Sequence, residues 1–310
     1  MTVFEAKRQL AAELAAVSPT ARLDADCIMQ HILGCDKTRL LMLHGQELSP
    51  QQHKALLAAA AQRRTGLPIA YITGHKEFYG LDFTVTPDVL IPKPDTELLV
   101  EHAVAAVQAA QEAQNNAPHS PCFIADICTG SGCIAVSVLH SLAAGAVYAA
   151  LTDISPAALD VARTNAERLL TPAQLERMQF LQGDLLEPLQ QAGSVQQFDM
   201  ILSNPPYIPA ADVDDLLKDG RSEPRLALDG DCGGSTDGLG IIRRLIPQVY
   251  AHLKQGGLFL LETGEYNAKA AAALLTACGF SDVTIYKDMA GQLRLVEGRR
   301  QDKDFRQAKV

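Results

Sequence analysis

The sequence predicts an α/β protein: a doubly wound, mostly parallel seven-stranded sheet with an antiparallel last strand, preceded by a small all-helical domain. Three observations predict it. Up to Arg64 the apolar positions recur at helical spacing in Ala- and Leu-rich sequence. Beyond Cys122, short β-rich runs alternate with helical ones, as in a parallel sheet covered on both faces. The last two runs, Val283 to Tyr286 and Leu293 to Glu297, are separated only by Lys287-Asp288-Met289-Ala290-Gly291-Gln292. That loop is too short for a helical crossover, so the final strand must turn back antiparallel to its neighbour.

In chain order, Phe4 to Val17, Ala21 to Leu33 and Gln51 to Arg64 are predicted helices. Gly66-Leu67-Pro68 breaks the pattern, and Lys76 to Val85 alternates around Gly80 as a β-hairpin does. Leu90-Ile91-Pro92-Lys93-Pro94-Asp95-Thr96-Glu97 then leads into an apolar helix through Leu98, Leu99 and Val104, with Asp95 expected as its cap. Gln111 to Ser120 reads as a polar surface loop. The remaining strands are predicted at Cys122 to Asp126, Ala146 to Leu151, Met178 to Gln182, Phe198 to Leu202 and Gly257 to Glu262. The domain boundaries expected from this pattern are 1–74 for the helical part, 75–95 for the hairpin and connector, and 96–310 for the sheet domain.

Composition narrows the function. With 310 residues, 47% of them hydrophobic, the chain can bury one large core and a second, smaller one. No apolar run is long enough to span a bilayer, and Met1-Thr2-Val3-Phe4-Glu5 lacks the zones of a secretory signal, so a cytoplasmic protein without a membrane partner is expected. The seven cysteines are scattered, with no C-x-x-C pair, which predicts reduced thiols and no structural metal. A net charge of −9 opposes a large nucleic-acid footprint, which needs clustered cations. Arg294, Arg299, Arg300, Lys303, Arg306 and Lys309 form a basic end, read as solvated rather than RNA-binding.

Three stretches carry candidate ligand chemistry. In Asp126-Ile127-Cys128-Thr129-Gly130-Ser131-Gly132 a strand ends and a glycine-rich turn opens a helix, letting backbone amides approach a ligand. Gly130-x-Gly132-x-x-Ala135 also satisfies the dinucleotide fingerprint, with Asp153 where a ribose-binding acid belongs, so an NAD enzyme competes at this point. Ser155 and Pro156 can start the next helix alone, which leaves Asp153 free for ribose hydroxyls. After the third strand, Asp184 can accept from an adenine amino group while Leu185 packs on the ring.

The decisive run is Asn204-Pro205-Pro206-Tyr207, directly after the fourth strand, where crevices of such sheets lie. An amide nitrogen is a poor nucleophile because its lone pair is delocalised. The Asn204 side-chain oxygen and the Pro205 carbonyl can each accept one amide N–H and aim the lone pair at a sulfonium methyl. Pro205 and Pro206 stiffen the pair, and Tyr207 offers a flat face to a planar group. An NAD enzyme has no use for this arrangement.

Together with Ile91 to Glu97, Glu223-Pro224-x-x-Ala227-Leu228, Gly256-Gly257 and Glu262-x-Gly264, these motifs resemble the bacterial release-factor glutamine methyltransferases, the HemK family, over nearly the whole chain. The resemblance implies the methyltransferase-type sheet. It implies S-adenosylmethionine as cofactor, S-adenosylhomocysteine as product, and no metal. It implies N5-methylation of the glutamine in the Gly-Gly-Gln motif of class 1 peptide chain release factors, in translation termination. Asn204, Pro205, Pro206 and Tyr207 would then bind the amide, while Asp126, Cys128, Thr129, Gly130, Ser131, Gly132, Asp153, Asp184, Leu185 and Asn204 would line the cofactor. Residues 1–74 would help dock the factor, and a monomer with no direct nucleic-acid contact is expected.

Two related readings share parts of the pattern. Adenine-N6 methyltransferases use the same Asn-Pro-Pro-Tyr but need a basic target-recognition region. The Cys-Thr-Gly-Ser-Gly-Cys form is similar to the sister family acting on ribosomal protein L3, whereas Pro94-Asp95-Thr96-Glu97 and the hairpin favour the release-factor branch. Three positions depart from the family pattern: Cys128 in place of a commoner glycine, Lys93 in place of arginine, and a lengthened loop over 229–239.

Overall fold

Local chemistry sets where the amino-terminal helices begin and end. The computed structural model describes residues 1–113, 120–190, 197–218 and 223–301. Helix α1 (Val3–Leu14) opens in a capping box, the Thr2 hydroxyl accepting from Glu5 N while the Glu5 carboxylate accepts from Thr2 N. Helix α2 (Ala21–Leu33) stops at Gly34 in the left-handed conformation that ends helices at low cost. A short α3 (Lys37–Met42) follows, then α4 (Pro50–Arg64), started by a second capping box at Ser49, and α5 (Ile69–Thr73). Leu10, Leu14, Ile28, Met29, Leu40 and Leu56 make a separate core there, and the Arg63–Asp24 ion pair at 2.7 Å ties α4 to α2. The first helix is shorter than its sequence pattern, and α3 and α5 are too short to show a period.

The chain divides into two compact units, one of residues 1–75 with 214–218, the other of 76–213 with 223–301. The second begins within strand β1 (His75–Phe78), which pairs with β2 (Leu81–Thr84) as a hairpin. A 3-10 turn, Pro94–Thr96, leads into α6 (Glu97–Ala113). The turn's cap is Lys93, and Asp95 is spent on an ion pair with Arg294 at 3.2 Å rather than on capping. Gln111 to Ala113 belong to α6, and 114–119 of the expected loop lie outside the described residues.

The sheet follows: β3 (Cys122–Ile127), α7 (Cys133–Ser141), β4 (Val147–Asp153), α8 (Pro156–Leu169), α9 (Pro172–Leu175), β5 (Met178–Gln182) and β6 (Phe198–Ser203). Then come α10 (Ala210–Lys218), α11 (Gly240–His252), β7 (Leu253–Glu262), α12 (Ala268–Cys278), β8 (Phe280–Lys287) and β9 (Leu293–Arg300). The order is β5-β4-β3-β6-β7-β9-β8, parallel through β7, with β9 antiparallel to both neighbours. The last strand is thus inserted between β7 and β8.

Alternation along the central strands explains the layers. Ile124, Met200, Leu202, Leu258 and Leu260 share one core with α6 and α7, while Ala125, Ile127, Ile201, Phe259 and Leu261 share the other with α11 and α12. Both faces are buried, so these strands read as continuous apolar runs. A fully buried side chain such as Phe259 contributes roughly 1.5–3 kcal/mol.

The basic end needs one correction. Arg294 is buried inside β9, held by Asp95 and Asp288, and Arg299 and Arg300 donate to the backbone carbonyls of Gly256 and Ala251. Lys303, Arg306 and Lys309 lie outside the described residues.

Candidate active site

Strand order reverses between β3 and β6, and the chain leaves both strands at the same edge of the sheet. The Ser203 hydroxyl donates to Ile127 O at 2.8 Å and locks these two strand ends together.

The turn after β3 is built from left-handed residues. Cys128, Gly130 and Gly132 have φ of 60°, 55° and 77°. Gly130 lines a cleft, and a Cβ there would meet no atom within 4 Å, so its backbone is open to a ligand. Beneath it, a Cβ on Gly132 would press Ala162 of α8 at 3.1 Å. Asp126 is fully buried and accepts from Thr129 Oγ1 at 2.6 Å and Ala135 N at 3.3 Å, which ties the turn to α7. Burial pushes its carboxyl up to about 7. Burial and the surrounding Asp153, Asp126 and Asp184 carboxylates push the Cys128 thiol up as well, which keeps it protonated and unreactive.

Asp153 is engaged, contrary to the expectation of a free carboxylate. Its Oδ2 accepts from Gly130 N and its Oδ1 from Ser155 N, both at 2.9 Å, while Ser155 caps α8 as expected. One carboxylate therefore fixes the glycine turn and the start of α8 at once. Each oxygen keeps a second lone pair. Asn165, absent from the sequence reading, grips the turn from outside: it donates to Ser131 O at 2.9 Å and pairs with both backbone groups of Thr84. Asp184 forms an ion pair with Arg244, and Leu185 is buried beside it with φ of 53°.

The Asn204–Tyr207 loop is clamped from several sides. Asn204 Nδ2 donates to Thr96 Oγ1 at 3.2 Å, and the Pro205–Pro206 bond is trans. Tyr207 O accepts from Tyr266 Oη at 3.1 Å and Asn267 Nδ2 at 3.0 Å, and the Tyr207 hydroxyl donates to Glu262 Oε1 at 3.4 Å. Burial raises the Tyr207 pKa. The lengthened loop packs directly on this run: Gly230 N donates to Ile208 O, and a Cβ on Gly230 would meet Tyr207 Cα at 2.7 Å. Asp231 organises it, accepting from Ser235 Oγ, Gly238 N and Ala210 N. Glu223 accepts from Ile91 N and Lys93 Nζ, which brings Pro224 and Leu226 to the rim of the cleft.

Nine of the predicted site residues line this one cleft: Cys128, Thr129, Gly130, Ser131, Asp153, Asp184, Leu185, Asn204 and Pro206. Asp126, Gly132, Pro205 and Tyr207 do not line it. Thr96, Asn165, Glu223, Arg244 and Glu262 escaped sequence reasoning as site residues. For Thr96, Glu223 and Glu262 the signal lay in the family motifs themselves; Asn165 and Arg244 sit inside helices with no local mark.

A cleft with carboxylates around an open glycine turn on one side, and an Asn-Pro-Pro-Tyr acceptor loop on the other, is what a cationic methyl donor and a planar nitrogen require. On a seven-stranded sheet with a reversed last strand, it defines the S-adenosylmethionine-dependent methyltransferases, and the NAD reading falls away. The N-terminal domain of human METTL16, solved with S-adenosylhomocysteine, shares this fold, with a TM-score of 0.51 and 16% identity over 94% of this chain and 95% of that one. Residues 5–74 match the PrmC N-terminal domain, and residues 96–219 match the Methyltransferase small domain. The release factor glutamine methyltransferase of Burkholderia pseudomallei is 41% identical, covering 93% of this chain and 95% of its own. That of Moorella thermoacetica is 40% identical, covering 95% and 97%. This chain belongs to the release factor glutamine methyltransferase family.

Proposed function

We propose that the chain methylates the side-chain amide nitrogen of a glutamine, the one in the Gly-Gly-Gln motif of class 1 release factors, using S-adenosylmethionine in the cytoplasm. One observation carries the reading: Asn204 gives its Nδ2 to Thr96, which leaves Oδ1 as an acceptor at the cleft. Oδ1 and the Pro205 carbonyl take the two amide N–H groups and hold the nitrogen in line with the donor. Gly130, Ser131 and Asp153 fit the cofactor's amino-acid and ribose parts, and Asp184 and Leu185 its adenine. Bound there, S-adenosylmethionine would supply a sulfonium methyl, the carbon–sulfur electron pair being left on sulfur and the amide proton lost to water.

Positioning and water exclusion suffice, with no metal and no strong base assigned. The domain of residues 1–74 helps dock the factor, and the enzyme acts as a monomer. Homology to relatives named for release factors supports this substrate over ribosomal protein L3 and over DNA adenine.

The test uses Asn204→Ala, with isothermal titration of S-adenosylmethionine and tritiated-methyl transfer to purified release factor, L3 protein and DNA. Cofactor affinity is expected to stay within about twofold while transfer to release factor falls at least about 100-fold. Equal loss of both, or loss of neither, would overturn the assignment. Mass spectrometry placing the methyl anywhere but on the glutamine side-chain nitrogen would do so too.

A further inference from the structure

We propose that Arg244 is a positioning residue of the cofactor site: its guanidinium, paired with Asp184, holds that carboxylate with one oxygen toward the cleft and so sets the site's preference for a 6-amino purine. The inference rests on the S-adenosylmethionine reading above and adds to it a residue outside both the glycine turn and the acceptor loop.

Helix α11 grips the loop that follows β5 with two side chains one helical turn apart. Arg244 Nη2 donates to Asp184 Oδ2 at 2.5 Å, and Gln248 Oε1 accepts from Leu186 N at 3.2 Å. Gln248 Nε2 also donates to Arg244 O at 3.2 Å, so both side chains act from one stretch of helix. Between the two grips Leu185 is buried with φ of 53°. On the other side of Asp184, Gly183 packs so closely on Pro188 that a Cβ there would fall 2.2 Å from its Cγ. The backbone is therefore fixed on both sides of Asp184. What remains to be fixed is the carboxylate, and Arg244 does that.

Arg244, Asp184 and Leu185 all line the cleft that holds the glycine turn. The two charged side chains are 42% and 32% exposed, and an ion pair so open to water contributes little to folding. Its effect is on direction. The neighbouring cation cannot substitute, because Arg243 is engaged by Asp237 at 2.6 Å.

An ionised carboxylate only accepts, through two oxygens. With Oδ2 held by Arg244, Oδ1 is the oxygen left for a ligand. A purine with a 6-amino group offers it an N–H. A 6-oxo purine brings a carbonyl oxygen instead, acceptor against acceptor. A site built to bond an N–H rejects the analogue that lacks it, provided the acceptor stays where it is. Arg244 supplies that condition. Without it the Asp184 side chain can rotate to water, which weakens the hold on the amino group and relieves the clash with the 6-oxo purine.

The test is isothermal titration of the full chain with S-adenosylhomocysteine and with its 6-oxo counterpart, S-inosylhomocysteine. Neither ligand carries a sulfonium, so a direct effect of the Arg244 charge on that group is absent. Wild type is expected to bind the adenosyl ligand at least about 100-fold more tightly than the inosyl one. Arg244→Gln should weaken the adenosyl ligand about tenfold and cut the preference below about tenfold, with the melting temperature within about 3 °C of wild type. Arg243→Gln, which removes the same charge one residue away, should keep the wild-type preference. A full preference in Arg244→Gln, an equal loss in Arg243→Gln, or a melting temperature that collapses in Arg244→Gln would overturn the inference. Asp184→Asn separates it from the reading beneath: if that variant loses the preference while Arg244→Gln keeps it, only the role of Arg244 is wrong. If Asp184→Asn also keeps it, Asp184 does not meet the purine, and if wild type binds neither ligand the cofactor reading itself fails.

Discussion

Gly238 lies against the backbone of Tyr207 so closely that a Cβ on Gly238 would overlap the Tyr207 carbonyl oxygen. Its φ of 71° independently disfavours any side chain. The lengthened loop is thus the back wall of the acceptor run.

Gly238→Ala should therefore push Tyr207 and the preceding prolines out of place. We expect kcat toward release factor to fall about 100-fold, because an ångström-scale misplacement costs that much, with cofactor affinity within about twofold. Steady-state kinetics and titration calorimetry check both. Unchanged kcat would mean that the loop gives way instead of the site.

Cys128 occupies a left-handed position, φ 60°, where glycine pays no steric cost. Cys128→Gly should keep the melting temperature at or above that of wild type. Cys128→Val, β-branched in a forbidden region, should lower stability by about 1–3 kcal/mol. Thermal melts rank the three, and Val equal to Cys would contradict the account.

Asp153→Asn keeps one acceptor oxygen where the structure uses two, for Gly130 N and Ser155 N. The glycine turn or the α8 start loses its anchor. Cofactor affinity should drop at least about tenfold, since a hydrogen bond to a charged group contributes about 1.5–3 kcal/mol. Isothermal titration measures it, and a change under about twofold would assign the turn's shape to Asp126 and Asn165 alone.

Glu262 also makes a stability prediction. Burial lifts its folded carboxyl from the ordinary 4.5 to about 7, so the folded chain holds this proton more tightly than the unfolded one. That stabilisation is complete below about 4.5 and lost as pH rises through about 7. Glu262→Gln should then match wild type in acid and exceed it by up to about 3 kcal/mol at pH about 8, from about 1.4 kcal/mol per pKa unit. Urea melts at both pH values test the sign; a variant less stable at the higher pH would refute it.

Much of the architecture was legible because its signals are local. Strands such as Met178–Gln182 and the helix Ala21–Leu33 follow from residue periodicity, and the Ser155-Pro156 helix start from the chemistry of adjacent residues. The short β8–β9 loop implied a reversed strand without saying which strand it would pair with besides β8. Its insertion beside β7 follows from Val296 and Leu295 facing opposite cores, a packing result no single segment encodes.

The layers, the glycine turn beyond β3 and the Asn-Pro-Pro-Tyr run beyond β6 are each written in neighbouring residues, and so could be read along the chain. What those side chains do came from long-range packing. It gave Asn204 to Thr96 across 108 residues, turned Asp153 onto Gly130, buried Arg294 instead of leaving it to solvent, and set Gly238 behind Tyr207. Such pairings depend on which distant segments packing brings within hydrogen-bond reach, and neither periodicity nor turn chemistry carries that distance information.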